Sequence, residues 1–297
     1  MISKTLGVVC ALVSLALLAV AAAPAVAQTK HVQSPTALDF RKQAKNVTFE
    51  SDGLTLHGWL YKPPGDGPFP AIIWNHGSEK DPVAHPELGQ FYTSLGMVTF
   101  LPVRRGHLPS PGGYIVDEQD ALKEKVTDPK AVRKRSVELH DEHSNDVVAA
   151  VEWLKKQPFV DSNRLAMTGA SYGGIQTLIA SEKDLGVRAF VPFCPAAMSW
   201  ANTDLQDRLK TSVAKARAPL FLIQAKNDFS TGPSDVLGPL IREKGGANRA
   251  TLYPAFGTTP REGHGGFACW EEGIAIWGPD VRQFLRDTGV LASPPSK

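Results

Sequence analysis

Cysteine is scarce in this chain: 297 residues contain three, at positions 10, 194 and 269. A fold of this length buries a large core and does not depend on covalent staples. Excess charge is also lacking, with 32 Lys and Arg against 30 Asp and Glu. There is neither the basic surplus that a nucleic-acid partner would need nor an acidic tail. Internal repeats and low-complexity blocks are absent, and the one long apolar run lies at the N-terminus. There Lys4, the core "LGVVCALVSLALLAV" and the small-residue "AVA" before Gln28 have the form of a cleavable signal peptide over 1–27. A membrane anchor is the rival reading, but the apolar core is short and alanine-rich, and the cleavage chemistry follows at once. No cysteine follows the cut to carry a lipid. The mature protein is therefore expected in the periplasm or secreted, with no stable membrane span after cleavage. Lys4 is the one charge among the 27 residues removed, so the mature chain of 270 carries a net +1.

Residues 28–45 are polar and irregular and are expected to form a flexible leader. From 46 to 290 the pattern is that of one domain. "VTFES" and "LTLHGWLYKP" alternate at period two around Asp52-Gly53, a hairpin signal, because Gly53 can take the positive φ that a tight turn demands. "PAIIWNHG" and "MVTFLPV" alternate less, as expected of strands covered on both faces. Further strands are expected in "RLAMTGAS", "VRAFVPFCP", "PLFLIQAKND" and "RATLYPAF". The stretches between them have helical spacing, including "PELGQFYTSLG", "NDVVAAVEWLKKQ" and the closing "GPDVRQFLRDTG". The fold class is therefore α/β: a mainly parallel sheet with helices on both faces and an N-terminal antiparallel hairpin. Charged segments at 110–142 and 199–215 are candidate caps over a pocket, or plain solvated helices.

In such a sheet, ligands gather at the carboxyl ends of the strands. "GASYGG" puts Ser171 there, between an apolar strand and a helix, with Gly169 and Gly173 two positions to either side. This is the strand-to-helix turn that presents a nucleophilic serine. Serine needs a base, and a base needs an orienting acid. In chain order the acid is Asp228, ending a strand, and the base is His264 in "REGHGGF" after the last strand. Asp235 competes as the acid but lies in a helix first turn, where the dipole alone explains it. The N–H groups of Tyr172 and Ser78 are the candidate oxyanion donors. His76, Arg105, His107, Tyr114 and Trp200 are candidate pocket residues, although a salt bridge anchoring the "RRGH" loop would equally explain an arginine there. The His140/His143 pair lacks further ligands, so no metal is expected. In an exported protein Cys194 and Cys269 can form a disulfide, and two buried free thiols are the alternative.

Taken together, "VTFESDGLTLHGWLYKP", "IIWNHGS", "LPVRRGH", "GASYGG", "KND" and "GHGGF…WGPDVRQFL" resemble the dienelactone-hydrolase-like branch of the α/β-hydrolases. The set is also similar to prolyl-oligopeptidase-type catalytic domains. The resemblance covers about residues 47 to 288 and implies a cofactor-independent hydrolase of small-molecule carboxylic esters or lactones. Dienelactone hydrolases proper use cysteine where this chain has Ser171, and no β-propeller segment is present. A serine peptidase or amidase with the same triad is one alternative. A binding protein on the hydrolase fold, without turnover, is the other.

Overall fold

The computed structural model describes residues 32–292; the expected signal peptide and residues 28–31 of the expected leader lie outside them. Eight strands form one sheet: β1 (Lys45–Ser51), β2 (Leu54–Tyr61), β3 (Phe69–Asn75), β4 (Val98–Val103), β5 (Val160–Ala170), β6 (Val187–Phe193), β7 (Phe221–Ala225) and β8 (Arg249–Tyr253). Their spatial order is β1-β2-β4-β3-β5-β6-β7-β8. The β1–β2 and β2–β4 pairings are antiparallel, and every later pairing is parallel. The β1–β2 hairpin turns at Asp52 and Gly53, with φ of 47° and 77°. Both values are positive, as a two-residue turn of the primed type requires.

Alternation along the central strands sends side chains to two separate cores. On β3, Ala71 and Ile73 face one and Ile72 and Trp74 the other; on β5, Leu165 and Met167 oppose Ala166 and Ala170. The first core is covered by α4 (Pro129–Lys155), α5 (Tyr172–Ser181), α6 (Thr203–Lys215) and α7 (Gly232–Glu243). The second is covered by α2 (Pro86–Ser94) and α9 (Glu271–Asp287), with the buried Trp74 and Trp277 at its centre.

Three sequence expectations change here. The leader is ordered from Gln33 on: α1 (Pro35–Arg41) is capped by Ser34, buries Ala37 and stacks Phe40 on Tyr61 at 5.3 Å. "NDVVAAVEWLKKQ" is only the second half of α4, which starts at an Asp128 cap and runs 27 residues. The charged segments at 110–142 and 199–215 are helical, through α3 (Ile115–Lys125), the first half of α4, and α6. None of their residues lines the cleft described below. Leu139, Leu205, Leu209 and Val213 bind them to the first core.

Because β3, β5, β6, β7 and β8 are parallel, their carboxyl ends share one edge of the molecule. The loops after them carry every residue of the candidate site.

Candidate active site

β5 passes into α5 through the single residue Ser171, whose backbone stands at φ 58° and ψ −117°. A non-glycine residue there costs about 1–3 kcal/mol and persists only when its surroundings fix it. Ser171 N–H donates to Phe193 O at 3.1 Å, and Ile175 N–H donates to Ser171 O at 3.1 Å. The flanking glycines have a steric reason. A Cβ at Gly169 would stand 2.6 Å from Asn75 O, one at Gly173 1.9 Å from the same oxygen, and one at Gly174 2.5 Å from Phe193 O. All three obstacles are backbone atoms and cannot swing aside. Gly173→Ala is thus expected to destabilise the protein by about 3 kcal/mol or more. Differential scanning calorimetry should record a melting temperature about 6 °C or more below that of the parent.

The candidate acid follows β7. Asp228 is buried, and its Oδ1 accepts from Phe229 N–H at 2.6 Å while Oδ2 accepts from Gln224 Nε2 at 2.7 Å. His264, expected on a loop, lies instead on a short π-helical turn, Glu262–Gly266. Its Nδ1 donates to Asp228 Oδ1 at 2.7 Å, and its Nε2 has no hydrogen-bond partner among the described residues. Asn227 fastens the two segments together. It donates from Nδ2 to Phe256 O (2.8 Å) and Thr259 O (3.1 Å), and accepts from Phe256 N–H at 2.8 Å. The π turn packs so closely on it that a Cβ at Gly263 would meet Asn227 Oδ1 at 2.4 Å. Sequence reasoning missed Asn227, although it stands inside the quoted "KND".

Burial lowers the pKa of His264, but the Cys194 sulfur and the Asp228 carboxylate outweigh it, so the imidazole titrates above its ordinary 6.5. Two of the candidate pocket histidines go the opposite way. Burial and the neighbouring Arg104 cation hold His76 well below 6.5 and bring His107 to about 3.

Ser171 and His264 open on one cleft of about 500 Å³. Trp74, Val83, Met198, Phe229 and Trp270 supply its apolar wall, and Glu79, Asp81 and Arg261 supply charge. Ser78 borders it directly, and Tyr172 begins α5, so its N–H belongs to the helix's unpaired first turn.

The five expected pocket residues do not line this cleft. Arg105 is spent on Asp146, which it grips from Nε and Nη2 at 2.6–3.1 Å, and on Asp52 at 2.7 Å. His76 is buried, with Nε2 accepting from Arg104 N–H at 3.2 Å. His107 and Tyr114 bond to the backbone of residues 78–79 from behind. Trp200 packs over Gly232. The true wall was not legible because its residues come from five loops with no common spacing.

The expected disulfide is not formed: Cys194 and Cys269 are free thiols. Cys194 turns toward the Asp228–His264 pair, its Sγ 3.9 Å from His264 O, while Cys269 stands on the cleft wall. One donor atom each from Cys194, Asp228 and His264 lies within 4.8 Å of the others. The hydrogen bond between Asp228 and His264 accounts for two of the three.

The prolyl oligopeptidase family model matches residues 134–208, the stretch that holds Ser171. A polyketide transferase, grgF, from Penicillium sp is 31% identical over 188 residues, 60% of this chain and 56% of its own. The chain spans about half the length of the curated relatives it matches. Among solved structures, the Pyrococcus horikoshii acylaminoacyl peptidase superposes with a TM-score of 0.60 at 19% identity. The match covers 89% of this chain and 45% of that one. Est1E from Butyrivibrio proteoclasticus, solved with ferulic acid, superposes with a TM-score of 0.57 at 17% identity, covering 82% and 98%. Sheet order and solved neighbours agree on the fold, which is that of the α/β-hydrolases, and the segment 134–208 is similar to the prolyl oligopeptidase family.

Proposed function

We propose that the protein is an exported serine hydrolase of carboxylic esters or lactones, of the dienelactone-hydrolase-like kind. The observation that carries this reading is the state of His264. Asp228 holds its Nδ1 at 2.7 Å, and its Nε2 is left without a partner beside the cleft that Ser171 enters. Ser171 Oγ attacks the acyl carbon as His264 Nε2 takes its proton. The oxygen of the tetrahedral intermediate takes up the N–H groups of Tyr172 and Ser78. His264 then protonates the leaving alkoxide, and a water attacks the acyl-enzyme by the same relay. Nucleophile, base and donors are all protein groups, so the chemistry calls for no cofactor. The apolar wall suits a small acyl or aryl group. Among the described residues no helix is long and apolar enough to cross a membrane. Export rests on the signal-like segment 1–27.

Only neutral imidazole accepts the serine proton, so activity should rise with pH as His264 deprotonates. Its raised pKa places the midpoint of that limb above 6.5. A kcat/KM profile in pH measures it directly, and Asp228→Asn should move the midpoint down. A limb centred below 6.5 would mean that another group is the base.

The family-model match at 134–208 favours peptidase or amidase action as the second reading. A panel of p-nitrophenyl esters of graded acyl length, an aryl lactone and peptide amides decides between them. Ester turnover well above amide turnover is expected. The reverse order would favour the peptidase, and no turnover at all would favour a binding protein.

A further inference from the structure

Five consecutive carbonyls, His76 to Lys80, are all held from one side. Arg104 Nη2 donates to His76 O at 2.6 Å and to Gly77 O at 3.0 Å. The Tyr114 hydroxyl donates to Ser78 O, and His107 Nδ1 donates to Glu79 O at 2.7 Å. Leu108 N–H donates to Lys80 O at 2.8 Å. These donors come from the segment 104–114 that follows β4, and His76 Nδ1 adds a second bond to Gly77 O at 2.9 Å. In a trans peptide the N–H points opposite to the C=O. Fixing the Gly77 carbonyl toward Arg104 therefore turns the Ser78 N–H of the same peptide plane the other way. Gly77, Ser78 and Glu79 line the cleft on that other side.

Arg104 is a costly choice for this place. It is fully buried and forms no ion pair among the described residues. Burial penalises the guanidinium, and Glu79 and Asp146 offset this only from beyond ion-pair distance, whereas packing alone would be served by methionine or leucine. What the cation gains is a charge-assisted hold on two carbonyls and a seat over an aromatic ring. Its Cζ lies 4.4 Å from the centroid of the Tyr172 ring. Tyr172 is the residue whose own N–H is the second oxyanion donor. One side chain thus touches the structural support of both donors. Polarising the Gly77 carbonyl also strengthens the Ser78 N–H as a donor.

We propose that Arg104 is a positioning residue for the oxyanion donors: it locks the Gly77–Ser78 peptide and the Tyr172 ring in one register, so that both N–H groups converge on the transition-state oxygen. Tyr114 extends the same support by one peptide. This rests on the hydrolase reading above, with Ser171 as nucleophile.

The test compares Arg104→Met, Arg104→Lys and Tyr114→Phe with the wild-type protein on one p-nitrophenyl ester. It also measures binding of a trifluoromethyl ketone, whose adduct with serine carries an oxyanion. Arg104→Met should lower kcat by about 100-fold, the low end for losing an oxyanion donor outright, with KM changed less than about twofold. Ketone affinity should fall in parallel with kcat. Arg104→Lys, which keeps the charge but loses the planar two-carbonyl grip, should recover part of both. Tyr114→Phe should lower kcat by about three- to tenfold. If Arg104→Met does not fold, Arg104→Lys and Tyr114→Phe carry the comparison. Unchanged kcat in folded variants overturns the proposal, as does a loss confined to KM or a kcat loss without loss of ketone affinity. A wild-type protein that neither turns over the ester nor binds the ketone overturns the hydrolase reading itself, and the oxyanion role falls with it.

Discussion

Ser171→Ala is expected to abolish ester turnover, by a factor on the order of 10⁶ in kcat, while leaving the fold intact. The two halves of that expectation have separate causes. The hydroxyl makes no hydrogen bond among the described residues, so its removal leaves no buried partner unsatisfied. The elbow is held instead by backbone groups of Phe193, Ser171 and Ile175, and by glycines whose missing Cβ atoms admit the Asn75 and Phe193 carbonyls. Alanine at φ 58° bears the same strain as serine. Melting temperature should therefore stay close to the parent's, and circular dichroism should be superimposable. Turnover has no such insurance, because the attacking atom is gone. Near-normal activity in the purified variant would place the nucleophile elsewhere.

Asp228→Asn is expected to be nearly as severe, lowering kcat by about 10⁴, because the imidazole loses the acceptor that fixes its tautomer. It should also cost stability, which Ser171→Ala should not. The carboxylate accepts from three donors: His264 Nδ1, Phe229 N–H and Gln224 Nε2. An asparagine has one acceptor oxygen, so its amide NH₂ must face at least one of these donors. A buried unsatisfied donor costs about 1–3 kcal/mol. Kinetics and thermal melts on the same preparation separate the two effects. A variant with full stability and full activity would remove Asp228 from the site.

Much of this was legible in the sequence. Period-two alternation around Asp52-Gly53 specified the hairpin, and mostly apolar runs specified β3, β4 and the second half of β5, because burial on both sheet faces leaves few polar positions in such strands. The strand-serine-helix pattern located Ser171 for a reason the structure makes concrete, since only glycine fits at 169 and 173. What escaped was set by contacts distant in sequence. The segment 33–44 is polar and becomes helix only because α2 and Tyr61 accept its apolar edge. The π turn at 262–266 depends on Asn227, some 35 residues earlier, and periodicity does not encode it. Arg104, His107 and Tyr114 are chemically suited to bind substrate, and only the geometry shows them turned to the back of the 76–80 loop. The two cysteines were compatible with a bridge by compartment. The orientation of Cys194 toward His264 could not be read from spacing.

The most direct measurement is mass-spectrometric peptide mapping after reaction with a fluorophosphonate. A single phosphonyl adduct on Ser171 is expected, formed in step with loss of ester turnover and absent when His264 is replaced by alanine. An adduct on another residue, or an active protein that the reagent leaves unmodified, would contradict Ser171 as the nucleophile and the hydrolase reading built on it.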